Sequence, residues 1–285
     1  MGKNWIFLLF LFVTIMCLFT VISLSCPGIV SADKKTTIFF YNPEANINNF
    51  VSLKAEFDAY LFPLGNFQFQ PVSSEQVFEG VIKESLSASE GDIFILSSWH
   101  FNVIKKRLSL EPSLIATIKG RATYEKILIT KKDISEIKQL KGAAVASAGS
   151  EEYTIHLLKG LLGKGNEHIA SSMRILKVPK DIDALMSVGF GMAQAAIASE
   201  FSLEKMSHLN SSQYNMFKQL VKTGDLLLPV VVVPKKQSPL RDRVIEILTG
   251  MGNVDEGRSR LKMLGFDGWK PVEKAERRVL ENEGN

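Results

Sequence analysis

Small residues and hydroxyls placed where a strand gives way to a helix can hold an oxyanion, and residues 140–153 (LKGAAVASAGSEEY) form such a stretch. Residues 143–147 are a short, small, apolar run of the kind that makes a buried parallel strand. Ala148 and Gly149 turn the chain. Ser150 stands where a helix N-cap belongs, ahead of Tyr153, Leu157, Leu158 and Leu161 at helical spacing. A strand, a small-residue loop and a helix N-terminus together aim unpaired backbone N–H groups at one place. The same unit also serves as a plain βα connection in any α/β fold, so its chemistry depends on what other segments bring to it.

The neighbouring carboxylates bear most directly on ligand charge. Glu151 and Glu152 fall in the first helical turn, where the helix dipole favours them by roughly 0.3–1 kcal/mol each if they face water. If one faces the ligand instead, a like charge ~4 Å from an anion costs about 4 kcal/mol at an effective dielectric near 20. That arrangement rejects a dianion and suits a neutral or cationic ligand. Lys180 offsets the charge if it reaches inward; otherwise it is a solvated head on a surface stem. Ser97 and Ser98 follow the apolar run 93–96, and either cap the next helix or offer hydroxyls to a ligand, with Trp99 as an aromatic wall or a core residue. Tyr41 and Asn42 end the first strand, and Ser199 and Glu200 close the strand 193–198.

Catalytic patterns are missing. His100, His156, His168 and His208 do not stand in metal-site spacing with one another, so no metal or cofactor is expected. There is no nucleophile elbow or P-loop, and no Ser/His/Asp set can be proposed from spacing, so no catalytic residue is assigned. Gly189-Phe-Gly191 precedes a strand and reads as a turn.

The elements that must position these residues follow from periodicity. Strands are expected at 36–41, 67–72, 93–96, 124–130, 143–147, 173–178, 193–198 and 226–233. Helices are expected at 48–61, from Ser74 to about Leu86, 181–188, 210–221, 239–251 and 254–264. Pro229 argues against a central position for the strand 226–233. Residues 273–285 read as a charged, solvated tail. The βαβ rhythm favours parallel pairing with right-handed crossovers. Segments 124–130 and 226–233 enclose a self-contained set of elements. Lobe one is therefore expected at 36–123 plus 228–272, and lobe two at 124–227. A cleft should lie between them, at the carboxyl ends of the strands.

Lys3, the apolar run 5–24 and a small-residue site at Val30-Ser31-Ala32 describe a secretory signal over residues 1–32, cleaved before Asp33. The run approaches the ~20 residues that span a bilayer, so an uncleaved anchor is the alternative. Lipidation of Cys26 is the weaker option, because Ser23 stands three positions before it. Cys17 and Cys26 are the only cysteines, so the cleaved chain has no disulfide or thiolate chemistry. With 34 basic and 30 acidic residues, the charge gives no case for nucleic acid.

Three segments resemble a known family in their order along the chain. Residues 91–98 (GDIFILSS) resemble the strand that ends at the ligand in type 2 periplasmic binding proteins. Residues 124–133 (YEKILITKKD) with 137–142 (IKQLKG) look like the lobe-crossing segment. Residues 191–198 (GMAQAAIA) are similar to the last strand before the chain returns. The group most similar is the phosphate/phosphite/phosphonate-binding components of ABC transporters, over about residues 36–272. The resemblance implies an α/β fold of two Rossmann-like lobes joined by two crossing strands, and a non-enzymatic, monomeric, periplasmic protein. Its partners would be a small-molecule ligand, such as a phosphonate-like oxyanion, and an inner-membrane permease. The alternative within the same fold is a ligand-sensing module for a membrane signalling or redox partner. The ligand-binding residues implied are Tyr41, Asn42, Ser97, Ser98 and Trp99 from lobe one, with Ser147, Gly149, Ser150, Glu151, Lys180 and Ser199 from lobe two. The departures concern the anion. The family's Ser-Thr-Ser-Gly-like loop is here residues 148–152 (AGSEE), a His common after the next strand is replaced by Val178-Pro179-Lys180, and an Asp of the last strand is Gln194.

Overall fold

The computed structural model describes residues 35–44 and 49–282, so the expected signal at 1–32 lies outside the described residues. One sheet holds β1 (Thr36–Tyr41), β2 (Phe67–Pro71), β3 (Ile93–Leu96), β4 (Leu110–Thr117), β12 (Val230–Pro234) and β13 (Gly268–Pro271), in the order β13-β4-β12-β3-β1-β2. β1 pairs in parallel with β2 and β3, while β12 runs antiparallel between β3 and β4. Successive side chains leave a strand on opposite faces, so apolar runs such as IFIL and VVVV feed two cores at once. Ile93, Ile95, Val231 and Val233 pack with Phe57 and Leu61 of α1 (Phe50–Leu61). Phe94, Leu96, Val230 and Val232 pack with Phe78 and Ile82 of α2 (Glu75–Ala88).

The second sheet holds β6 (Lys126–Lys131), β7 (Ala144–Ser147), β8 (Arg174–Lys177), β9 (Ala195–Ser199) and β10 (Phe217–Lys222), in the order β10-β6-β9-β7-β8. α4 (Glu151–Leu162) covers one face through Leu157, Leu158 and Leu161, against Leu128, Val145 and Ile197. α6 (Asp181–Gly189) covers the other through Leu185 and Val188, against Ile129 and Ala196. Between the sheets runs a two-stranded ribbon, β5 (Thr123–Tyr124) against β11 (Leu226–Leu227). The chain thus leaves one lobe and re-enters it side by side.

Several expectations need correction. Residues 210–221 are not one helix: Asn210 caps a single turn, Ser211–Tyr214, and β10 then pairs antiparallel with β6 as an edge strand. Phe217 packs on the α6 face of the sheet while Leu220 and Val221 lie on the α4 face, with the register shifting between Gln219 and Val221, and the pairing partner decides between periods that a short segment leaves open. Pro229 does not keep its strand from the centre of the sheet. It falls in the break between β11 and β12, where no ladder bond needs its nitrogen, and its carbonyl accepts from Ala116 N at 2.9 Å. β4 and β13 were not anticipated; Pro112 masks β4, and the register with β12 shifts beside it. Over its described residues, 273–282, the expected solvated tail packs on the fold instead. Lys274–Asn282 is helical, buries Leu280, and is held by the Glu276 carboxylate, which bonds Lys270 at 2.6 Å and Glu273 N at 3.0 Å. Among the described residues no helix is long and apolar enough to cross a membrane.

Candidate binding cavity between the lobes

The carboxyl ends of β1 and β3 face α4, β6 and β9 across a cavity of about 180 Å³. Lobe one supplies Asn42 and Glu44 just after β1, and Ser97, Ser98 and Trp99 just after β3. Lobe two supplies Lys126, Tyr153, His156, Asp181 and Ser199, and the crossing ribbon supplies Tyr124 and residues 226–229. Dry cavities of about 150 Å³ admit benzene, so this space takes a ligand of roughly that size or a little larger.

The hydroxyls are held by local structure. Ser97 is the N-cap of α3 (Ser98–Ile104), its Oγ accepting from His100 N at 3.2 Å. Ser98 Oγ donates to the Leu227 carbonyl at 3.0 Å, tying the α3 N-terminus to the crossing ribbon. Ser199 caps α7 (Glu200–Leu209), accepting from Ser202 N. Each cavity serine thus stands where a strand ends and a helix starts, beside amides that a first helical turn leaves without intrahelical partners.

The charged floor is a triad. Lys126 is 1% exposed; its Nζ donates to both Asp181 oxygens at 3.1 Å and to the Glu44 carboxylate. Asp181 Oδ2 also accepts from Ser199 N at 2.6 Å. Burial opposes the ammonium, but the combined pull of Asp181 and Glu44 outweighs it and raises the Lys126 pKa. Burial, with Asp181 adding repulsion, raises the Glu44 pKa even though Lys126 works against the rise. Two carboxylates thus face one ammonium, and Lys126 is already committed.

The wall is aromatic and spans both lobes. The Tyr124 and Tyr153 hydroxyls lie 3.2 Å apart, and Trp99 packs 5.3 Å from the Tyr153 ring and 5.9 Å from His156. Burial pushes both tyrosine hydroxyls up in pKa, so they remain donors.

Of the residues expected from sequence, Asn42, Ser97, Ser98, Trp99 and Ser199 come together in this cavity. Tyr41 and Ser150 line an adjoining groove together. Lys180 lines a separate groove with Lys205 and Lys262. Ser147 is turned inward, its Oγ accepting from Thr154 Oγ1 at 2.9 Å and Gly149 N at 3.3 Å. Glu151 is exposed and lines none of these grooves, whereas Glu152 lines two. Sequence reasoning missed Glu44, Lys126, Asp181, Tyr124 and His156, and read Tyr153 as core. The available signal was Lys126 itself, a charge set next to an apolar strand run. Ser150→Ala is expected to cost about 1 kcal/mol, since it removes the cap on Tyr153 N. Chemical denaturation of wild type and variant checks this.

Two α/β lobes joined by paired crossing segments around a central cavity define a type 2 periplasmic binding protein. The chain belongs to the family of phosphonate periplasmic substrate-binding proteins of ABC transporters, whose model matches residues 67–276. Solved structures agree on the fold. XAC2383 from Xanthomonas citri, solved with a chloride ion, is 14% identical with a TM-score of 0.65, over 87% of this chain and 96% of that one. A binding protein component of an ABC phosphonate transporter from Pseudomonas aeruginosa is 15% identical with a TM-score of 0.62, over 87% and 86%. PhnD1 from Prochlorococcus marinus, in complex with methylphosphonate, is 13% identical with a TM-score of 0.58, over 88% and 97%. No curated protein sequence matches the chain significantly.

Proposed function

We propose that the protein is exported to the periplasm, captures a small phosphonate-like solute between its lobes and presents it to an ABC permease. The observation that carries this reading is the cavity lined from both lobes and the ribbon, because such a site binds best when the lobes close on it. The Ser97 hydroxyl, with the helix amides beside it, is the donor for an acid group, and Ser98 and Ser199 join it by turning from Leu227 O and Ser202 Oγ. Lys126 adds little positive field, being matched by Glu44 and Asp181. A solute carrying an amine beside its acid group is therefore favoured over inorganic phosphate.

A thermal-shift screen with phosphate, methylphosphonate, an aminoalkylphosphonate, alkyl sulfonates and polyamines tests this. A solute at 100 times its Kd adds about 2.7 kcal/mol, an easily read melting shift. The aminoalkylphosphonate should give the largest rise. Stabilisation by polyamines alone would reject the phosphonate-like solute, and silence throughout would reject capture of this class.

A further inference from the structure

A second polar cluster sits on lobe one, outside the cavity lining. Glu75 and Glu79 are four residues apart on α2 and so share one helix face. His100 of α3 meets them, with Nε2 at 3.8 Å from Glu75 Oε1 and 3.9 Å from Glu79 Oε1. The imidazole is 0% exposed, and neither ring nitrogen has a hydrogen-bond partner. Rings of Tyr41, Phe78 and Trp99 enclose it, at 5.2, 5.6 and 6.3 Å between centroids. A buried ring nitrogen with no partner is rare enough to call for one.

One donor atom from each of the three side chains lies within 4.8 Å of the others. In a tetrahedral site with ligands ~2.0–2.1 Å from the ion, donors stand about 3.4 Å apart, so each of the two His–Glu distances closes by roughly half an ångström. Both carboxylates retain some exposure and can make that adjustment. With neither ring nitrogen bonded, the imidazole has a lone pair to give. The surroundings are acidic: Glu75, Glu79 and Glu152 line a groove with Lys83, and Arg107 holds Glu79 at 2.8 Å.

We propose that Glu75, Glu79 and His100 form a binding site for a divalent transition metal such as zinc, with a remaining coordination position open to the groove that Glu152 shares. One imidazole and two carboxylates make a donor set suited to zinc rather than calcium or magnesium, which prefer oxygen alone. The ion gives His100 a partner and relieves the repulsion among three carboxylates. Arg107 would release one Glu79 oxygen on loading.

The experiment is a Zn²⁺ titration of the purified, chelator-stripped protein, repeated with Co²⁺ for its visible absorption. Wild type should bind one equivalent, and Co²⁺ should show bands of nitrogen and oxygen ligation. Glu75→Gln with Glu79→Gln, both at partly exposed positions, should weaken Zn²⁺ roughly a hundredfold or more while the fold persists. His100→Asn should change the Co²⁺ spectrum, and the glutamine pair keeps the test valid if that core variant fails to fold. Absence of saturable binding by wild type, or unchanged affinity in the glutamine pair, overturns the site.

Discussion

Replacing Lys126 with methionine is expected to destabilise the protein by about 3–5 kcal/mol, because it leaves two largely covered carboxylates without their cation. Glu44 and Asp181 both address the one ammonium, and Lys126 is 1% exposed. At roughly 2–4 °C per kcal/mol for a domain of this size, the melting point should fall by roughly 6–20 °C. The sign of the pH response identifies the cause. Without the ammonium, nothing offsets the burial that already holds the Glu44 carboxyl above its ordinary value. Its neutral form supports the fold at low pH, and that support is lost as pH rises through the folded value. The variant should therefore recover towards wild type near pH 4 and lose most at pH 8. Adding Glu44→Gln and Asp181→Asn should restore much of the loss at neutral pH. A loss independent of pH and of these partners would mean that packing of the lysine stem, not the charge triad, is what matters.

That triad also shows where sequence reading stops. The apolar runs at 93–96 and 230–233 admit few arrangements other than a buried sheet, and the order of strands and helices matched one family architecture. Those features are local or ordered along the chain. The charged floor is neither: Glu44, Lys126 and Asp181 come from three distant segments, and the fold alone joins them. β10 was lost for a related reason, since Phe217–Lys222 becomes a strand by pairing with β6, more than eighty residues earlier. The serines at strand ends were legible because a cap and a ligand contact use the same position. The pairing of Glu75 and Glu79 with His100 was not, because the histidine lies on a different helix from the carboxylates.

Gly149→Ala is expected to damage both stability and binding, and it decides what the small-residue loop is for. The φ of Gly149 lies outside the left-handed region, so its value is space rather than backbone freedom. A Cβ there would stand 2.7 Å from Tyr153 Cδ1 and 3.2 Å from Thr154 Oγ1. Neither neighbour yields easily. Tyr153 is 4% exposed, bonded to Tyr124 through its hydroxyl and packed on Trp99, while Thr154 Oγ1 is bonded to Ser147. Overpacking of this kind costs about 1–3 kcal/mol. The displaced ring is also a cavity wall, so affinity for a solute that stabilises wild type should fall by about tenfold, or 1.4 kcal/mol. A loop that acted only by presenting amides to an anion predicts a different pattern, with unliganded stability unchanged and loss confined to anionic solutes. A double-mutant cycle with Tyr153→Ala separates the two: if the glycine exists to seat the ring, its substitution should cost much less once the ring is gone. Additive costs would return Gly149 to the anion-holding role that its neighbourhood first suggests.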